Sequence, residues 1–190
     1  MEVFDKEKIG KCIAWGGEHL VYDYGDTQVI KFSLFDLLIG LRLARIKTMH
    51  DLTICREFFS DYMLSTTLVS SSDGRRLAKL QPKITGRAIK KSDLQDKRIA
   101  QQFKEIIRAH QALVAQGYYG VDLIGGRGVL LARPTNIFLT VTGKLYLIDT
   151  LLLSVPELPW LQWLFNIFRD VAIWNQIRII KSFLSACEEK

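Results

Sequence analysis

Two stretches hold the residues best suited to chemistry. The first is NIFLTVTGKLYLID, residues 136 to 149, which opens on Asn136 and closes on Asp149. Ile137 to Thr140 and Leu145 to Ile148 are strand-like runs interrupted by Gly143. A two-residue turn at Thr142-Gly143 would pair Val141 with Lys144 and set Asn136 opposite Asp149. Thr-Gly is a weaker turn signal than Asn-Gly, which leaves a one-residue slip or a longer loop open. Directly opposed side chains on a hairpin have Cβ atoms roughly 5 Å apart. An amide oxygen beside a carboxylate suits a hard cation, and Mg²⁺ is usually held by one or two such groups plus phosphate oxygens. Taken alone, the stretch also reads as a structural hairpin with polar ends.

The second stretch is AWGGEHLVYDYGDTQVIKF, from Ala14. Gly16-Gly17, between two strand-like runs, would let backbone amides approach a ligand closely. By strand alternation Val29 and Lys31 share a face, while Ile30 and Phe32 point into the core. A lysine flanked by apolar residues is costly to bury without a partner, and its natural partners are a phosphate and a carboxylate. Glu57, in CREFF, is the candidate carboxylate. A lone strand lysine also reads as solvent-facing.

The elements that would position these residues follow from hydrophobic period. KCIAW, HLVYDY and TQVIKFS predict an antiparallel meander, and residues 34 to 60 carry leucines and isoleucines at helical spacing. MLSTTLV and LAKLQPKI predict two more strands, after which Gly86 breaks the chain. A helical region starts at Ser92-Asp93, with Ile99, Phe103, Ile106, His110 and Leu113 on one face and Gly117 as its C-terminal cap. A glycine-rich GVDLIGGRG leads into the hairpin, and the tail from Trp160 to Leu184 predicts a helix or helix pair whose aromatics pack beneath it. The expected class is α+β, with a β-rich first lobe over residues 1–84 and a helical second lobe over 85–190.

Composition bounds the rest. The 190 residues are 48% hydrophobic and 24% charged, which indicates a folded globular chain. A net charge of +6, from 26 basic and 20 acidic residues, is compatible with polyphosphate, nucleic acid or an anionic membrane. Cys12, Cys55 and Cys187 lack metal-ligand spacing and predict reduced thiols in a cytoplasmic protein. MEVFDKEKIG lacks a signal-peptide core, and Pro156, Glu157 and Pro159 interrupt the most apolar stretch.

In order, the glycine loop, V-I-K strand, helix glutamate, two strands, helix, N-I-x-L hairpin and L-I-D resemble the protein-kinase-like fold over roughly residues 9 to 151. The resemblance implies ATP and Mg²⁺ as cofactors. It implies that Lys31 binds the α/β-phosphates with Glu57 orienting it, that Asn136 and Asp149 hold the metal, and that Gly16-Gly17 lie in the phosphate loop. Val21 and Val29 would form the ceiling over adenine, and Leu80-Gln81-Pro82, after the fifth strand, the hinge against its edge. Three departures stand out. AWGGEHLV keeps only Gly16 on a motif glycine. Leu131 stands where the family's catalytic aspartate falls, although Arg133 and Pro134 resemble the loop's usual Lys-Pro. Thr150-Leu151 follows Asp149 in place of Phe-Gly, and the 41 residues after Asp149 predict a reduced second lobe.

Asp122, 14 residues before Asn136, is the candidate replacement base if a nine-residue insertion loops out at Gly125, Gly126 and Gly128; it reads equally as a turn residue beside Gly120. His110 is expected in the core face of its helix, His50 in a loop and His19 near phosphate. The leading expectation is an ATP- and Mg²⁺-dependent phosphotransferase acting on the alcohol group of an unknown acceptor. The alternative is a pseudokinase, a nucleotide-binding or scaffolding module acting on a regulated partner. A membrane-surface contact through the Trp-rich C-terminal segment is a third reading. Nucleic acid comes last, because the basic residues are dispersed.

Overall fold

Alternating apolar residues build a six-stranded sheet in the first half of the chain. Its strands are β1 (Glu2–Val3), β2 (Ile9–Trp15), β3 (His19–Tyr24), β4 (Gln28–Ser33), β5 (Thr67–Ser70) and β6 (Leu77–Pro82), in the order β1-β5-β6-β4-β3-β2. β1 runs parallel to β5, and every other pair is antiparallel. The computed structural model describes residues 2–15, 19–34, 36, 39–125, 134–149, 152–153 and 162–187, with side chains of the last helix described from residue 169. The class is α+β.

One sheet face is apolar. Phe4, Tyr24, Ile30, Val69 and Ala78 form its buried cluster, and Ile9, Tyr22, Phe32 and Leu80 pack against it. Phe32 meets Phe4 and Tyr22 edge-on, with ring centroids 5.6 and 5.9 Å apart. Strand alternation turns His19, Val21, Val29, Lys31, Lys79 and Gln81 to the opposite, mixed face. Helix α1 (Leu41–Phe59) joins β4 to β5. Its buried stripe, Ala44, Thr48, Asp51, Leu52, Cys55 and Phe59, repeats at helical spacing.

The later chain forms a three-stranded antiparallel sheet of β7 (Gly86–Ala88), β8 (Ile137–Thr140) and β9 (Leu145–Leu147), with helices α2 (Lys97–Ala115) and α3 (Gln162–Ala186). Asp96 caps α2 by accepting from Arg98 N at 2.8 Å and Ile99 N at 3.4 Å. Gly117, at φ +91°, follows its last turn, where a left-handed residue closes a helix. Ile99, Phe103, Ile106 and Leu113 are buried, and Phe103 meets Phe183 of α3 at 5.8 Å.

The chain divides into two compact units. The first is Met1–Thr53 with Leu64–Ile84, and the second is Ile54–Met63 with Thr85–Lys190. Helix α1 therefore contributes to both.

Several expectations need correction. Gly86 does not break the chain: it opens β7, where a Cβ would lie 2.2 Å from Leu139 O, so only glycine allows the strand this close. The hairpin between β8 and β9 turns through Val141-Thr142-Gly143, with Gly143 N donating to Thr140 O at 3.0 Å and Thr140 N donating to Lys144 O at 2.9 Å. Gly143 takes φ +77°, and Ile137 faces Leu147, so the register slips by one relative to a two-residue turn. Residues Leu80–Pro82 lie within β6, paired to β4, and do not form a segment after the strand. His50 sits in α1, exposed, with Nδ1 3.6 Å from Asp51 Oδ1. The tail forms a helix, as expected, but its Trp174 does not pack as core: it is 63% exposed under the guanidinium of Arg178. Among the described residues, no helix is long and apolar enough to cross a membrane.

Candidate functional site

The second unit gathers its acids by a hydrogen-bonded loop. Asp122 Oδ1 accepts from Ile124 N and Gly125 N, each at 3.0 Å, which closes the chain into a tight turn. Thr135 then fastens the turn to the start of β8: its N and Oγ1 donate to Ile124 O at 2.7 and 2.9 Å. Asn136 Nδ2 donates to the carbonyl of Asp122 at 2.9 Å. That bond fixes the amide, because the nitrogen is engaged and Oδ1 remains as the oxygen available to a cation. Gly125 takes φ +53°, and a Cβ there would stand 2.5 Å from both Asn136 Oδ1 and Thr135 Oγ1.

Asp149 arrives from the other side of the hairpin. Ile148 N donates to Asn136 O at 3.0 Å, so Asn136 lies opposite Ile148 and Asp149 is the next residue on. Its charge is felt at Asp122. Burial is the main cause that pushes the Asp122 carboxyl up, the amides of Gly125 and Ile124 hold it back, and Asp149 adds to the rise. Asp122 and Asn136 are thus hydrogen-bonded neighbours, and Asp149, one residue past the Asn136–Ile148 backbone bond, is near enough for its charge to act on Asp122. Among the described residues, no three His, Cys, Asp or Glu side chains group as a metal site.

The turn is also anchored to α3. Gln176 Oε1 accepts from Leu123 N at 2.8 Å, while Nε2 donates to Val121 O at 3.0 Å and meets His110 Nε2 at 3.1 Å. Burial lowers the pKa of His110 below the usual 6.5, and a hydrogen bond to the Val121 backbone opposes the shift. A depressed histidine favours the neutral folded form. Its contribution to stability is complete above pH 6.5 and lost as pH falls through the folded-state pKa. Urea midpoints at pH 7 and pH 5 should therefore fall further for wild type than for His110→Gln. An equal fall in both would remove His110 as a source of acid sensitivity.

In the first unit, the register sets Val21 opposite Lys31, Val29 opposite Gln81 and Lys31 opposite Lys79. Val29 and Gln81 are buried, and Lys31 and Val21 are half-buried. Gln81 Nε2 donates to Thr66 Oγ1 at 2.9 Å, while its sealed Oε1 has no hydrogen-bond partner among the described residues. His19 is buried in β3. Gly16, Gly17 and Leu131 lie outside the described residues.

Glu57 is exposed, whereas Asp51 is the buried carboxylate of α1, bonded to Lys47 at 2.7 Å. Six residues of helix turn by about 240°, so these two acids occupy different faces. Sequence reasoning missed Asp51, although it falls in the buried stripe between Thr48 and Cys55. It also missed Lys79, which stands in LAKLQ with the apolar flanks that singled out Lys31. Asp36 adds a further acid. Burial raises its pKa, while Lys79, a hydrogen bond with Ser33, His19 and Lys47 hold it down.

No protein-family model matches the chain, and no curated protein matches it.

Proposed function

We propose that this chain binds ATP with Mg²⁺ and transfers a phosphoryl group to an alcohol acceptor, as a small, atypical member of the protein-kinase-like superfamily. The observation that carries the reading is the nearness of Asp122 to both Asn136 and Asp149 at one end of the hairpin. The order of elements supports it as well: a meander carrying Lys31, a helix, two strands, a helix, then the hairpin. In this reading the first unit is the β-rich lobe and the second a reduced helical lobe.

The donor set fits Mg²⁺, which takes oxygen ligands and keeps positions for phosphate. Asn136 Oδ1 and Asp149 would hold it, and the metal would neutralise charge on the transferred group. Lys31 would bind the phosphates. Asp122 Oδ2, the oxygen not bonded to the turn, would accept the proton of the acceptor hydroxyl, and its raised pKa suits that role.

A second reading is favoured by one sequence observation, Leu131 at the family's base position. In a pseudokinase the nucleotide would bind without transfer, and Asp122 would only close its turn. ATP turnover that disappears in Asp122→Asn supports the enzyme. Nucleotide binding with no transfer to any acceptor supports the pseudokinase.

The primary test is a thermal-shift titration with ATP and Mg²⁺ on wild type, Lys31→Ala and Asp149→Ala. A ligand at 100 times its Kd stabilises the folded state by about 2.7 kcal/mol. Wild type should shift and both variants should not. Three identical curves would end the nucleotide reading.

A further inference from the structure

The second unit holds a cavity of about 590 Å³ where the chain leaving β7 meets α3. Its walls divide by chemistry. Ile89, Pro134 and Phe183 are buried and Ile179 is half-buried, and together they make an apolar lining. Lys90, Lys91 and Arg178 are exposed and bring three positive charges to the same cavity, and no carboxylate lines it among the described residues. Apolar walls under a cationic rim are the complement of a molecule with an apolar body and an anionic head.

Lys91 and Arg178 keep their full charge because their partners are neutral. Lys91 Nζ donates to Ser182 Oγ and stands 6.0 Å from the ring centroid of Phe183. Arg178 Nη2 donates to Asn175 Oδ1 at 2.9 Å, and its guanidinium lies 5.6 Å from the ring centroid of Trp174. Asp93, the acid next along the chain, is engaged elsewhere. Its Oδ1 and Oδ2 each accept from Arg87 at 2.6 Å, and Oδ2 also accepts from Lys90 N at 2.8 Å. The Lys90 ammonium acts on Asp93 through space. Among the described residues, none of the three cations forms an ion pair.

A cavity of this size suits a small molecule, since such sites measure about 300–1,000 Å³ and bury most of their ligand. Three cations suit a phosphomonoester, with a charge of about −1.5 to −2 at neutral pH, better than the single charge of a carboxylate. The guanidinium fork of Arg178 can also take two phosphate oxygens at once. We propose that this cavity binds a phosphomonoester with a hydrocarbon body, its head held by Lys91 and Arg178 and its chain laid on Ile89, Ile179 and Phe183. Such a ligand joins α3 to β7, which is paired to β8. The site uses neither ATP nor Asp122, Asn136 and Asp149, so it goes beyond the phosphotransfer reading.

The test is calorimetric titration of the full chain, without nucleotide, using dodecyl phosphate below its micelle concentration, dodecanoate and inorganic phosphate. Dodecyl phosphate should bind one to one, about a hundredfold tighter than inorganic phosphate, the gain expected from burying a few methylene groups. Dodecanoate should bind more weakly than dodecyl phosphate. Lys91→Gln and Arg178→Gln should each weaken dodecyl phosphate by about tenfold or more, the loss expected for a hydrogen bond to a charged group. Lys91→Arg should retain most of the affinity. Ile179→Ser should weaken dodecyl phosphate and leave inorganic phosphate unchanged. Both glutamine variants replace exposed residues and should melt with the wild type. Lys97→Gln, exposed and outside the cavity, should change nothing. No saturable binding of dodecyl phosphate, or equal affinity in wild type and both glutamine variants, would overturn the proposal. An equal loss in Lys97→Gln would overturn it too, because it marks attraction to the whole basic surface. Equal affinity for dodecanoate would overturn the assignment of the phosphate head.

Discussion

Replacing Gly125 with alanine should destabilise the second unit by about 2–5 kcal/mol, the sum of a left-handed backbone at a non-glycine residue and an overpacked site. Both effects act at one place. The backbone stands at φ +53°, and the new methyl would enter the space of Asn136 Oδ1 and Thr135 Oγ1 at 2.5 Å. Relief requires Asn136 to rotate, which breaks its 2.9 Å bond to the Asp122 carbonyl and turns the free oxygen away. Denaturant unfolding measures the first effect and the Mg²⁺-dependent ATP shift the second. A variant as stable as wild type would mean that the turn relaxes freely, and the rigid positioning of Asn136 would be lost as an argument.

Asp122→Asn should separate stability from activity. The asparagine oxygen can still accept from Ile124 N and Gly125 N, while the substitution removes a half-buried charge and its repulsion from Asp149. Relief of that kind is worth about 0.5–2 kcal/mol at neutral pH. The sign follows from linkage. The carboxyl is raised above its usual 3.8, so the folded state holds the proton more tightly than the unfolded chain does. That contribution is complete at low pH and disappears as pH rises through the folded-state pKa. The variant should therefore match wild type in acid and exceed it in neutral solution. Turnover should fall by about 10²–10⁴, the usual share of a general base. A variant less stable than wild type at neutral pH would show that the turn needs the carboxylate itself.

Much of the fold was legible because periodicity reports burial. Ile99, Phe103, Ile106 and Leu113 announced the inner face of α2, and the alternation around Lys31 separated it from Ile30 and Phe32. The failures have physical causes. β1 is two residues long and β7 three, too short for any period to register. Gly86 reads as a breaker in sequence because the need for a missing Cβ becomes visible only when Leu139 is beside it. The hairpin register depended on a turn whose Thr-Gly signal admits more than one loop.

The site was readable in its members more than in its connections. Asn136 and Asp149 were marked by residue type, and Asp122 only by its place after a helix. The contact between Asp122 and Asn136 crosses 14 residues of chain, a separation at which sequence carries no geometry. Glu57 is singled out by its place in CREFF, at the end of the helical region, a position that says nothing of which helix face is buried. The buried stripe of α1 contains Asp51.

Gln176 has a consequence for motion. One side chain ties the amide of Leu123 and the carbonyl of Val121 to α3, so lifting that helix exposes both groups at once. Local opening of the acid-bearing turn and undocking of the last helix thus share a free energy, and they form one cooperative unit in hydrogen exchange. The rate at which the Leu123 amide trades its proton for deuterium is a clock for the helix, set more than fifty residues away in sequence.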